Sequence, residues 1–149
     1  GNVLMKRITF FCPLLLSLLP VSSAIALPFP LPLNKQSEII KALDNGFPVS
    51  FSIDLSNCTP EVGTPPSSTR GGSPIEGYRL TNDVLSFAEA RLVVEQTTGK
   101  PIQQVMRYSV YKNGNVHFEA YLYDVPTFVQ KSKFSYNCSI NSGVNFYLN

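Results

Sequence analysis

From Pro48 onward, apolar residues fall mostly on every second position. Val49, Phe51, Ile53 and Leu55 alternate with Ser50, Ser52 and Asp54, the two-residue period of a strand buried on one face. The same period places Val116, Phe118, Ala120 and Leu122 inward, with His117, Glu119, Tyr121 and Tyr123 on the opposite face. It returns in Phe134, Tyr136, Cys138 and Ile140, and again in Val144, Phe146 and Leu148. Further strands are expected over residues 75–81, 84–95 and 102–111. Within 84–95 the alternation slips near Ala88 to Ala90, which predicts a bulge, with a helix as the competing assignment. Turn residues separate these runs, and Asn113-Gly114 is the strongest hairpin signal among them.

One segment carries a helical pattern instead. Asn34 can cap a helix running to Asn45, with Ile39, Ile40 and Leu43 on one face, a Glu38/Lys41 pair at the surface and Gly46 as the stop. Strands joined by short turns without intervening helices predict a mainly β fold. The expectation is a small antiparallel meander closed into a barrel or sandwich, with one short N-terminal helix plugging or flanking it.

The first residues are of a different kind. Lys6-Arg7 after Met5, an apolar run over residues 8–19 and Val21-Ser22-Ser23-Ala24-Ile25-Ala26 form the three parts of a secretory signal. Residues 1–26 are therefore expected to be a signal peptide, with Met5 as the start. The apolar run is shorter than the roughly 20 residues of a membrane helix and is interrupted by Pro13, so no membrane span is expected after cleavage. Residues 27–33 alternate proline with apolar residues and predict an extended arm, and 34–149 a single domain.

Export changes the reading of charge. The whole chain has 12 Lys and Arg against 10 Asp and Glu. Losing Lys6 and Arg7 brings these into balance, which argues against a nucleic-acid partner. The protein is expected in the periplasm or secreted.

Of the 3 cysteines, Cys12 leaves with the signal. Cys58 and Cys138 read first as a disulfide in an oxidising compartment, and two buried free thiols are the alternative. A bridge closing about 80 residues would stabilise the fold by about 4 kcal/mol in the chain-entropy model.

Candidate chemistry is sparse. The single histidine, His117, sits on a strand beside Glu119, an arrangement commoner on surfaces than in general bases. One histidine without clustered acidic or thiol ligands supplies too few donors for a metal, and no cofactor is implied. Residues 56–74 form a long loop rich in Ser, Thr, Gly and Pro. Within it Thr69, Arg70, Gly71 and Gly72 set a guanidinium beside glycine backbone N–H groups, a combination suited to an anion. In the competing reading Arg70 pins the loop while the glycines supply positive φ.

Cys58-Thr59-Pro60, Gly63-Thr64-Pro65-Pro66, Thr69-Arg70-Gly71-Gly72, Leu85-Ser86-Phe87-Ala88, Gly99-Lys100-Pro101-Ile102-Gln103-Gln104 and Arg107-Tyr108 together resemble the bacterial VirK family of small exported proteins. The similarity spans roughly residues 51–138. It implies an association with virulence or host interaction, brings no activity, cofactor or catalytic residue, and makes residues 69–72 part of a family pattern.

Three functions compete. The first is a secreted, non-enzymatic accessory protein that binds a protein or envelope component through the 56–74 loop and a tyrosine-rich strand face. The second is a small-ligand carrier with an apolar barrel cavity. The third is a hydrolase that uses Arg70 and a carboxylate. An exposed aromatic patch would mark the first, an unfilled interior the second, and a pocket gathering Arg70 with a perturbed carboxylate the third.

Overall fold

The computed structural model describes residues 1, 3–5, 8–11, 13–14, 17–24 and 30–149. Lys6, Arg7, Cys12, the expected cleavage junction at Ala26 and residues 27–29 of the arm lie outside the described residues. Among the described residues no helix is long and apolar enough to cross a membrane.

The elements run β1 (Leu31–Leu33), α1 (Gln36–Asp44), β2 (Val49–Asp54), β3 (Thr59–Pro60), β4 (Arg70–Pro74), β5 (Arg79–Thr81), β6 (Val84–Val94), β7 (Pro101–Val110), β8 (Asn115–Asp124), β9 (Gln130–Ile140) and β10 (Gly143–Leu148). They build one sheet in the order β4-β2-β10-β9-β8-β7-β6-β5, with β1 on β10 and β3 on β9. The sheet curls strongly into a half-barrel.

The inward positions of the alternating strands fill the concave side. Phe51, Phe87, Tyr108, Phe118, Tyr136 and Phe146 are all buried. Ring centroids of Tyr108 lie 4.6 Å from Phe51, 4.8 Å from Phe87 and 5.1 Å from Phe118. Each such side chain stabilises the fold by roughly 1.5–3 kcal/mol on burial.

Helix α1 plugs one end. Ile39 is fully buried, and the Gln36 amide donates to the carbonyls of Asp83 at 2.7 Å and Val110 at 2.8 Å. The capping residue is Lys35, one position after the expected Asn34, and it gives no side-chain cap. Asn34 contributes its backbone N–H, which donates to Glu38 Oε2 at 2.8 Å one residue before the cap. The end of the proline-rich arm is docked as β1, with Leu33 opposite Phe146.

Four sequence expectations are corrected. The 56–74 loop ends at Thr69, because residues 70–74 pair with β2 as an edge strand. The expected strand over 75–81 shrinks to β5, because Ile75 to Tyr78 must cross from the β4 edge of the sheet to the β6 edge. No bulge interrupts β6, which pairs with β7 without a break from Leu85↔Val110 to Val94↔Pro101. Beyond Ala88 this strand stands mostly clear of the core, so nothing enforces strict alternation, and the register shift lies instead between β8 and β9 at Leu122/Tyr123. Finally, β10 meets β9 in parallel over Gly143↔Ser139 and Val144↔Ile140 before running antiparallel to β2. A tight turn with Asn141 (φ 66) and Gly143 (φ 97) makes this crank.

Candidate functional site

Cys58 and Cys138 are joined in a disulfide that ties the segment after β2 to β9. Gly143 packs against it, and a Cβ there would lie 2.5 Å from Cys58 Sγ.

Three of the four candidate binding residues lie in an edge strand rather than in a loop. Thr69 ends the loop, its N–H bound to Ser67 Oγ and its carbonyl to the Leu55 N–H. Arg70, Gly71 and Gly72 lie in β4, opposite Asp54, Ile53 and Ser52. Neither glycine has positive φ, so the expectation that they supply it is corrected. Gly72 is required by close approach, since a Cβ would collide with the Phe51 carbonyl, while a Cβ on Gly71 meets nothing within 4 Å. The Arg70 side chain is 79% exposed, with Nε 3.6 Å from Asp54 Oδ2. Asp54 is held below the usual carboxylate range, first by the Ser56 hydroxyl and only lastly by Arg70. Arg70, Gly71 and Asp54 edge an open cleft of about 640 Å³ that also includes Ser52, Asn57, Asn145 and Tyr147.

The rest of the loop is pinned to β9. Ser135 N–H donates to Thr64 Oγ1 at 3.0 Å, and Tyr136 hydroxyl to the Pro65 carbonyl at 2.8 Å. This folding carries Glu61 onto the outer face of the sheet, where its Oε1 sits 3.0 Å from His117 Nε2. Buried Nε2 forms no hydrogen bond. His117 Nδ1 lies 3.7 Å from Glu119 Oε1.

Glu119 is the hub of this face, its side chain only 11% exposed. It accepts from Tyr121 hydroxyl at 2.6 Å and lies 3.2 Å from Lys133 Nζ. Burial raises its pKa, but the bonds from Tyr121 and Lys133, together with the nearby His117 and Lys133, leave it below the ordinary carboxylate value. Donation to Glu119 in turn raises the pKa of both Tyr121 and Lys133. Lys133 also stands 5.4 Å over the Tyr121 ring.

Beside this polar cluster the outer face becomes apolar. Register sets Ala90, Val105 and Tyr121 in one row across β6, β7 and β8, and Leu92, Gln103 and Tyr123 in the next. Tyr121 and Tyr123 stack at 6.3 Å. Leu92 is 65% and Val94 69% exposed, and the turn after β8 adds exposed Phe128 and Val129. Glu61 was missed from sequence because its proximity to His117 comes only from the fold. The outward alternation of Tyr121 and Tyr123 was the available sign of the face.

A family model described as VirK protein matches residues 32–128. An uncharacterized protein of Sinorhizobium fredii is 38% identical over 113 residues, covering 74% of this chain and 77% of its own length. An uncharacterized protein in the pinF2 3' region of Rhizobium radiobacter is 41% identical with the same coverage of 74% and 77%. The crystal structure of a VirK family protein from Legionella pneumophila superposes with a TM-score of 0.71 at 16% identity, covering 78% of this chain and 98% of the other.

Proposed function

This chain belongs to the VirK family, and from that membership we propose that it acts as an exported, non-enzymatic accessory protein in bacterial interaction with a host. It docks a protein or envelope partner on the outer face of β6, β7 and β8. The observation that carries this reading is the outer-face patch beside the Glu119 cluster, in which Leu92 and Val94 are exposed and Val105, Tyr121 and Tyr123 are half-buried on neighbouring rows. Exposed aromatic and aliphatic groups next to fixed charges are the composition of an interface core and its rim. The disulfide and the signal-like N-terminus support export. The aromatic side chains packed in the interior favour docking over the carrier reading.

The test is partner capture from envelope and host extracts by wild type and by a Leu92→Asp/Tyr123→Asp variant of equal thermal stability. Recovery of a partner by wild type alone supports the face. Equal recovery by both removes it.

A further inference from the structure

We propose that two copies of this chain pair antiparallel through the free edges of β6, with Ala90 opposite Ala90 of the second copy. Asn82 and Asp83 form the turn between β5 and β6. Both residues have positive φ, 51 and 62, the conformation of a two-residue hairpin turn, which makes Thr81 and Val84 its hydrogen-bonded closing pair. In an antiparallel strand the hydrogen-bonding direction alternates. Even-numbered positions of β6 therefore point their backbone groups toward β5 and odd-numbered ones toward β7. The Glu95 N–H donating to the Lys100 carbonyl at 2.8 Å has the matching parity. Strand β5 stops at Arg79, opposite Ser86. Ala88, Ala90 and Leu92 thus present N–H and C=O groups with no strand beside them. Residues 73–77 form the far wall of a cleft of about 260 Å³ whose near wall is Phe87 to Arg91, with no ladder between them.

The opposite edge of the sheet is different. β4 is short, two of its residues are glycine, and it ends in Pro74, features that blunt an edge. The β6 edge is long and its outer residues are apolar.

Charge selects both the occupant and the register. Glu89 and Arg91 flank Ala90 on the inner face. With Ala90 at the two-fold axis, Glu89 lies opposite Arg91 of the second copy and Arg91 opposite its Glu89, while Ala88 meets Leu92 and Phe87 meets Val93. Shifting so that 89 faces 89 or 91 faces 91 sets like charges together, which disfavours those registers. In the single chain Glu89 Oε1 is buried without a hydrogen bond, and Arg91 is 3.5 Å away along the same strand. Pairing gives this carboxylate a cross-strand guanidinium and forms about six backbone hydrogen bonds. The edge uses backbone groups, so the outer docking faces of both copies remain open and become continuous.

The test is sedimentation velocity on the purified, oxidised chain across a concentration series. Wild type should sediment as a dimer. Glu89→Arg alone and Arg91→Glu alone should each be monomeric, and an equal mixture of the two should restore a dimer, as should the double variant Glu89→Arg/Arg91→Glu. Ala90→Pro, which removes an N–H that faces only the free edge, should also abolish the dimer. Restoration in the mixture shows that both single variants fold. A monomeric wild type would mean that Glu89 and Arg91 guard the edge, and would overturn the proposal. So would single reversals that stay dimeric, or a mixture that stays monomeric.

Discussion

Tyr121 donates its hydroxyl to Glu119 Oε2 at 2.6 Å, joining two outward positions of one strand so that an aromatic ring at the apolar patch is anchored by the nearly buried carboxylate beside it. The Glu119 pKa is depressed in the fold, below an unfolded value of about 4.3. Its stabilising contribution is therefore complete above that pH and is lost as pH falls through the lower folded value. Urea midpoints of wild type should drop in that acid range. Glu119→Gln should reduce the drop, and an unchanged pH profile would contradict this assignment. Tyr121→Phe should cost about 1 kcal/mol at neutral pH.

The two glycines of β4 should respond in opposite ways. Gly71→Ala has free space around its Cβ, whereas Gly72→Ala meets the Phe51 carbonyl. Stability should change by less than about 0.5 kcal/mol for the first and fall by more than about 1.5 kcal/mol for the second. Equal effects in denaturant titrations would mean that β4 does not approach β2 this closely.

Arg70→Ala is expected to be nearly silent in stability, below about 0.5 kcal/mol, because the exposed guanidinium and Asp54 form a solvent-screened pair. A larger loss would show that Arg70 pins the loop. The same variant should keep partner capture through the β6–β8 face, and loss of capture with stability intact would move the docking site to the β4 cleft.

Removing the Cys58–Cys138 bridge with paired serines should lower stability by about 2–5 kcal/mol. Gly143→Ala should destabilise the oxidised chain, since its Cβ collides with Cys58 Sγ at a residue with φ 97. Thermal melts of each variant check both, and a Gly143→Ala chain as stable as wild type would place β10 differently.

Gln36→Leu should cost about 1–3 kcal/mol by leaving the Asp83 and Val110 carbonyls without their amide donor. Hydrogen exchange at the β5–β6 turn should accelerate along with it. Unaltered exchange there would detach the helix from this role.

The fold was legible wherever a strand has one wet and one dry face. Val49 to Asp54 and Val116 to Ala120 alternate because the aromatic interior enforces it, and the helix showed in Ile39 and Leu43. Legibility failed where pairing alone makes the strand. Arg70 to Pro74 carries no apolar period and is a strand only because β2 lies beside it, so its Arg-Gly-Gly suggested an anion loop. In the outer half of β6 the inner positions are Glu89 and Arg91 rather than apolar residues, so Ala88 to Ala90 imitate a bulge. The candidate face was half visible in Tyr121 and Tyr123, but Glu61 beside His117 and Lys133 beside Glu119 arise from loop folding and cross-strand register that spacing does not encode.

Partner docking is assigned to the outer face of β6, β7 and β8. Its most direct test places a photo-crosslinking residue at Tyr123 and, in a separate protein, at Tyr147 on the β4–β2–β10 face, each irradiated in envelope and host extracts. Docking on this face should give a discrete crosslinked adduct from position 123, lost when Leu92 is replaced by Asp, and none from 147. An adduct from 147 with none from 123 would contradict it.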